Sequence, residues 1–400
     1  MLKISTRADN MPQSPIRKLA RYEEAAVRNG IKVYHLNIGQ PDIKTPQCAL
    51  EAVKNMDRSI LEYSPSQGTK SLRTKMVSYY AEYGIDISPD EIIITTGGSE
   101  AIMFAYMACL NPGDEIIVTD PSYANYMAFA ISCGAVVKSV RTHIENGFAL
   151  PPMEEFEKQI TPKTKAILIC NPNNPTGYLY SKQEMLQIRD MVKKYNLFLF
   201  SDEVYREFIY TKRPYISACH LEGIEENVVL IDSVSKRYSE CGIRIGALIT
   251  KNKDIRNAVM KFCQARLSPP LIGQIIAEAS LTTPQEYMEE VYDEYLSRRN
   301  FLINELNKIP GVYSPTPMGA FYTMVQLPVD DAENFCRWCL TDFSYEGQTI
   351  MLAPGSGFYS DPKEGKNEVR MAYILNKEEL AKALTVLRKA LEAYNLKVGN

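Results

Sequence analysis

The sequence predicts an α/β protein: a mostly parallel central sheet with helices on both faces, joined to a smaller α+β unit. Three observations carry this. Seven short runs read as strands, at 91–95, 115–120, 135–140, 165–170, 197–202, 227–232 and 244–250, and most are continuously apolar, as in EIIIT and KAILIC. Helical patterns lie between most of them, near 99–110, 123–133, 152–159 and 182–195. Strands that are apolar on both faces need cover on both sides, and alternating helices supply it. The texture then changes after about residue 284. A long helical run over 284–309 ends at Pro310-Gly311. It is followed by strand-like FYTMVQLP, helical AENFCRWCLTDF, strand-like TIMLAP and EVRMAYIL, and a final helix from Lys377 to about Tyr394. The stretch before about residue 45 reads as one helix, 16–29, with no sheet of its own. The expected division is a large unit over 46–284 and a small one made of 1–45 and 285–400.

Composition narrows the function classes. The 400 residues carry 45 basic and 48 acidic side chains, a formal charge of −3. A mixed, near-neutral surface argues against a nucleic-acid binder, which shows a basic excess. The 25 tyrosines and 13 phenylalanines argue against disorder. The longest apolar stretch, 101–110, is half a membrane span and reads as a buried helix. The N-terminus has no hydrophobic run, so no secretory signal is expected. Nine cysteines, an odd and scattered set, suit a reducing cytoplasm. Cys336 and Cys339 form a C-x-x-C, but they sit in an amphipathic helix without a second ligand pair, and no metal site is expected.

Polar residues and glycines follow the strand ends: Thr96-Gly97-Gly98, Asp120-Pro121, Asn171-Pro172, Asp202-Glu203 and Ser233. In open α/β sheets this edge binds ligands. The richest segment is SVSKRYSECGIRIG, 233–246. Lys236 follows a buried strand, where an ammonium loses its proton easily and becomes an amine nucleophile. Ser233, Ser235 and Arg244 could hold a phosphate. Taken alone, SxSK reads more simply as a surface loop.

The surrounding spacing changes that. SVSKRYSECGIRIG resembles the lysine segment of the class I, fold type I aminotransferases that depend on pyridoxal 5'-phosphate, aspartate aminotransferases among them. The resemblance runs along nearly the whole chain in order: LNIGQPDIKTP (36–46), YSPSQGTKSLR (63–73), TTGGSEAI (95–102), DPSYANY (120–126), NPNNPTG (171–177), SDEVY (201–205) and NEVRMAYI (367–374). It implies that Lys236 holds pyridoxal phosphate. The phosphate would lie against the Ser99 and Glu100 backbone amides, Ser233, Ser235 and Arg244; Glu100, being acidic, could serve only through its backbone. Glycines and a helix start favour a phosphate on physical grounds as well.

The same resemblance gives Asp202 the pyridine nitrogen, and Tyr205 and Asn174 the phenolic oxygen. The bland alternatives are a cap for Asp202 and turn chemistry for Asn174. Tyr123 matches the aromatic stacked on the cofactor ring, with Tyr126 as its competitor. Tyr63 matches a tyrosine reaching the neighbouring subunit's phosphate, which implies a homodimer. Arg370 would grip the substrate α-carboxylate, under the backbone of Gly39 and beside Asn174. An arginine in a strand-like run is costly if buried without an anion; the bland alternative is an edge strand in solvent. Near Pro269-Pro270, Cys263 aligns with an arginine that reads the distal carboxylate in aspartate-specific relatives. Arg266, three residues on, either substitutes for it or caps a helix.

The function expected is transfer of an amino group from an L-amino acid, aspartate favoured, to a 2-oxo acid such as 2-oxoglutarate. The alternatives are an aromatic transaminase, a carbon–sulfur β-lyase, and a non-catalytic regulator on the same fold.

Overall fold

The computed structural model describes residues 2–398. Its centre is a seven-stranded sheet ordered Ile92–Thr95, Gly246–Ile249, Val228–Ser233, Phe198–Asp202, Thr164–Cys170, Glu115–Asp120, Val136–Arg141. Only Gly246–Ile249 runs antiparallel to its neighbours. Successive side chains of one strand feed opposite faces. Ile167 and Ile169 pack with Met185, Ile188 and Val192 of helix Lys182–Tyr195 on one side. Leu168, Phe200 and Val229 pack with Ala101, Ile102 and Ala105 of helix Gly97–Cys109 on the other. Truncating one of these buried side chains to alanine costs about 2–5 kcal/mol. The edge strand Val136–Arg141 is the least buried, and its Lys138 and Arg141 suit an edge that must resist further pairing.

Four neighbouring parallel strands end in Asp120, Cys170, Asp202 and Ser233. The chain runs outward to Val136–Arg141 and then returns through Thr164–Cys170. That reversal opens a crevice at the carboxyl edge.

The rest differs from expectation in several places. The N-terminal stretch supplies a strand, Lys32–His35, paired in parallel with Gln348–Met351. Only four residues long and mostly polar, it shows its strand character in a single buried side chain, Tyr34. Its helix is shorter than read, Ala20–Arg28. Two helices, Lys253–Arg266 and Leu271–Ser280, fill the unassigned interval after the sheet, and two more, Gln47–Lys54 and Lys70–Glu82, fill the one before it. Helix Lys253–Arg266 is capped by the Asn252 side chain and buries Ile255, Val259 and Cys263 at four-residue spacing. A three-stranded antiparallel sheet, Ala353–Pro354, Glu368–Ala372 and Tyr322–Gln326, completes the C-terminal part. Cys336 and Cys339 are buried core side chains of helix Ala332–Thr341. Among the described residues no helix is long and apolar enough to cross a membrane.

Candidate active site

A cavity of about 640 Å³ opens at the carboxyl edge of the central sheet. Of the residues expected to hold the cofactor or the α-carboxylate, all but Glu100 and Tyr63 line it.

Ser233 ends its strand and caps a one-turn helix, Val234–Arg237, accepting the Ser235 N–H at 3.2 Å. This turn aims Lys236 into the cavity, where Nζ donates to the Gly39 carbonyl at 2.9 Å. Burial pulls the ammonium down, but the facing Tyr322 and Tyr123 phenols and the Cys241 thiol outweigh it, leaving the value raised. The expectation that burial alone frees the amine is therefore not met.

One end of the cavity is built for an oxyanion. Ser233 Oγ and Ser235 Oγ are 2.8 Å apart. The exposed Arg244 lines the same cavity, its guanidinium against the helix start, where a Cβ on Gly97 would come within 2.5 Å of Nη2. Gly98 and Ser99 open helix Gly97–Cys109, whose first N–H groups have no intrahelical acceptor. Gly246 lets strand and helix meet: a Cβ there would lie 2.5 Å from the Gly97 carbonyl carbon. The Glu100 side chain turns away from the cavity, accepting the Thr96 N–H at 2.7 Å and pairing with Arg266 at 2.7 Å. Arg266 ends its helix and also bonds the Ser66 carbonyl, so of its two readings the structure places it at the helix end. Tyr63 stands 76 % exposed, away from its own chain's cavity.

At the cavity floor, Asp202 accepts the Tyr126 hydroxyl at 2.7 Å. Burial pushes its carboxyl up to about 6, with Asp232 and Glu203 adding to the rise and the Tyr126 and Val204 hydrogen bonds opposing it. Among the described residues no cation pairs with it. Tyr126 is thus a core residue serving Asp202, while Tyr123 presents its ring to the cavity, edge-on to Tyr126 at 5.4 Å. Tyr205 accepts the Asn174 amide at 3.4 Å and shares a hydrogen bond with Tyr322 at 3.1 Å.

Arg370 is almost wholly buried, so the solvated edge-strand alternative fails. Its Nη1 donates to Asn174 Oδ1 at 2.9 Å and its Nη2 to the Asn37 carbonyl at 2.6 Å, while Nε has no partner. Burial lowers its pKa, opposed by the facing tyrosines, and no carboxylate pairs with it among the described residues. The rings of Tyr322 and Phe358 lie 4.4 and 4.9 Å from the guanidinium carbon. Such a cation needs an anion from outside the chain.

These features fit the group the sequence implies. An oxyanion cradle, a buried carboxylate without a cation, an aromatic face and a lysine surround one space. The sequence missed Tyr322 and Asn37, and it named Tyr126 only as a rival to Tyr123, not as the donor to Asp202. Tyr322 binds Tyr205 and faces Lys236 and Arg370, and its hydroxyl lies where a Gly39 Cβ would be. The strand run FYTMVQLP was visible, but nothing in it marked one tyrosine as facing a site.

A model of the family described as aminotransferase class I and II matches residues 31–387. The aspartate aminotransferase of Thermotoga maritima is 34 % identical over 95 % of this chain and 97 % of its own. That of Pyrococcus horikoshii is 32 % identical, covering 97 % of both chains. The solved alanine aminotransferase of Pyrococcus furiosus superposes with a TM-score of 0.89 at 31 % identity, covering 98 % of this chain and 100 % of its own.

Proposed function

The chain belongs to the aminotransferase class I and II family, and from that premise we propose that it moves the amino group of aspartate to a 2-oxo acid such as 2-oxoglutarate, with pyridoxal 5'-phosphate held at Lys236. The observation that carries the amino-acid reading is Arg370, a buried guanidinium without a carboxylate partner, facing the same space as Lys236 and Asp202. The aspartate preference draws on the names of the Thermotoga and Pyrococcus relatives.

When bound, pyridoxal phosphate supplies an electron sink that makes the substrate α-proton acidic. Ser233, Ser235, Arg244 and the Gly98–Ser99–Glu100 amides would hold its phosphate. Asp202, held by Tyr126, would favour a proton on the ring nitrogen. Tyr123 would offer its ring for stacking. Asn174 and Tyr205 would offer hydrogen bonds to the phenolic oxygen. Arg370 and Asn174 hold the α-carboxylate and so fix which bond of the α-carbon faces Lys236. The Lys236 amine would take the proton from that carbon at Nζ. Gly39 closes over the same space through its carbonyl.

The same reading assigns residues 46–284 to a cofactor-holding unit and 1–45 with 285–400 to a smaller unit that supplies Gly39, Tyr322 and Arg370. It makes the working species a homodimer, in which Tyr63 reaches the other subunit's phosphate. The exposure of Ile60, Leu61, Tyr63 and Leu267 supports a second copy there. Nine free cysteines support a cytoplasmic setting.

The test is a donor panel on purified holoenzyme with 2-oxoglutarate as acceptor. Aspartate should give the highest kcat/KM. A preference for phenylalanine or tyrosine of more than about tenfold, 1.4 kcal/mol in transition-state binding, would overturn the aspartate assignment. Faster pyruvate release from cystathionine than any transamination would move the reading to a β-lyase.

A further inference from the structure

We infer that Arg17 reads the side-chain carboxylate of a dicarboxylic substrate; this rests on the transaminase reading of the cavity. Four cationic side chains line that cavity: Arg17, Lys236, Arg244 and Arg370. Arg370 faces the α-carboxylate, Arg244 the phosphate cradle, and Lys236 the reacting carbon. Arg17 alone has no assigned anion. Among the described residues no carboxylate pairs with its guanidinium.

Its neighbours, in contrast, are all tied down. The Ser14 carbonyl accepts the Arg17 and Lys18 N–H groups at 3.1 and 2.9 Å, making a helical turn. Ser14 and Arg17, three apart, share one face of that turn, and both line the cavity. Pro15 is buried against Gly357, where an added Cβ would come within 2.4 Å of it. Lys18 pairs with Glu333 at 2.6 Å.

The strongest tie is Asn37. Its side-chain amide donates to the Ile16 carbonyl at 2.8 Å, and its own carbonyl accepts Arg370 Nη2 at 2.6 Å. One residue therefore sets the position of the Arg17 turn relative to the α-carboxylate arginine. A buried guanidinium, Arg370, and an exposed one carried on the tethered turn, Arg17, both line this space, a pairing that suits an acid with two carboxylates. A guanidinium matches each by a pair of parallel hydrogen bonds. Arg266, the other cation near the site, is already occupied by Glu100.

The test measures dissociation constants of succinate and propionate for the holoenzyme from the absorbance change of its bound cofactor. The two ligands share one carboxylate and differ by the second. Wild type should bind succinate at least about tenfold tighter, the worth of one charge-assisted contact. Arg17→Gln should bring the ratio to within about threefold, and Arg17→Lys should keep part of the preference, since an ammonium retains charge but not the fork. Arg370→Gln should weaken both ligands. A wild-type ratio near one, or an unchanged ratio in Arg17→Gln, overturns the inference. The aspartate assignment fails separately: a wild type that prefers phenylalanine as donor, yet loses its succinate preference in Arg17→Gln, would retain Arg17's role and lose aspartate as the physiological donor.

Discussion

Adjacent residues at the carboxyl edge of the sheet face opposite ways, and the two sides treat charge differently. Asp202, Tyr205, Ser233 and Lys236 open into the cavity. Glu203, Arg206, Asp232 and Arg237, each next to one of them in sequence, are buried behind. On the rear side every charge is answered. Asp232 accepts from Tyr80 at 2.5 Å, from Arg206 at 3.2 Å, from the Ser233 N–H at 2.8 Å, and from Arg237. Burial would raise its carboxyl, but Arg237 and Arg206 hold it down at about 2. Glu203 accepts from Ser201, Ser217, the Ala218 N–H, Arg206 and Tyr215. On the cavity side, Asp202 is pushed up to about 6 and Arg370 is pulled down, each without a charged partner. The rear layer spends its charges on holding the two strand ends together. The front keeps its charges free for ligands.

The largest effect expected from this contrast is at Lys236. Lys236→Ala should cost at least about four decades in transaminase turnover, because both proton transfer and cofactor attachment are lost. Its neighbour should behave in the opposite way. Arg237→Ala strips Asp232 of a buried partner and should cost about 3–5 kcal/mol of stability. Denaturant unfolding of the two cofactor-free variants separates them. A Lys236→Ala protein that unfolds as easily as Arg237→Ala would erase the distinction between the two sides.

Legibility in the sequence follows the same line. The strand ends were readable because continuous apolar runs stop abruptly at Asp202 and Ser233, and the resemblance gave those residues roles. Residues of the small sheet and N-terminal turn were harder. Tyr322, Asn37 and Arg17 reach the cavity only through tertiary approach of strand Tyr322–Gln326 and the 14–18 turn, and no local spacing encodes that approach. Arg370 was the exception, since an arginine inside EVRMAYI already demanded an anion. The rear charge layer was unread altogether. Glu203, Arg206 and Arg237 look like ordinary surface charges until the fold buries them.

Next in size is Arg370. Arg370→Gln should lower kcat/KM by about 2–5 kcal/mol for every donor, because all share the α-carboxylate. The stability of the cofactor-free protein should hold or rise, since an unpaired buried cation is removed. A loss confined to aspartate would mean that Arg370 reads the side chain, and the assignments of Arg370 and Arg17 would exchange.

The smallest effect is also the most direct comparison of the two sides, because it uses one chemical change on each: Asp202→Asn and Asp232→Asn. Asp202 has a folded pKa of about 6, above its ordinary 3.8. Its contribution to stability is therefore fully present below 3.8 and lost as pH rises through about 6. Asparagine cannot ionise, so above pH 6 the cofactor-free Asp202→Asn protein should be more stable than wild type. The gap between 3.8 and about 6 caps this gain at about 3 kcal/mol, and losing one of the two hydrogen bonds that Asp202 accepts, from Tyr126 and Val204, trims it to about 1–2 kcal/mol. Asp232 runs the other way. Its folded value of about 2 lies below 3.8, so its contribution is present above 3.8 and lost as pH falls through about 2. Asp232→Asn should therefore be destabilising across the neutral range. Denaturant midpoints of the cofactor-free proteins at pH 5 and pH 7.5 would show Asp202→Asn gaining on wild type as pH rises, with Asp232→Asn below it at both. If both variants lose stability at pH 7.5, Asp202 has a cation partner in the folded chain, and the cavity is not the unpaired side.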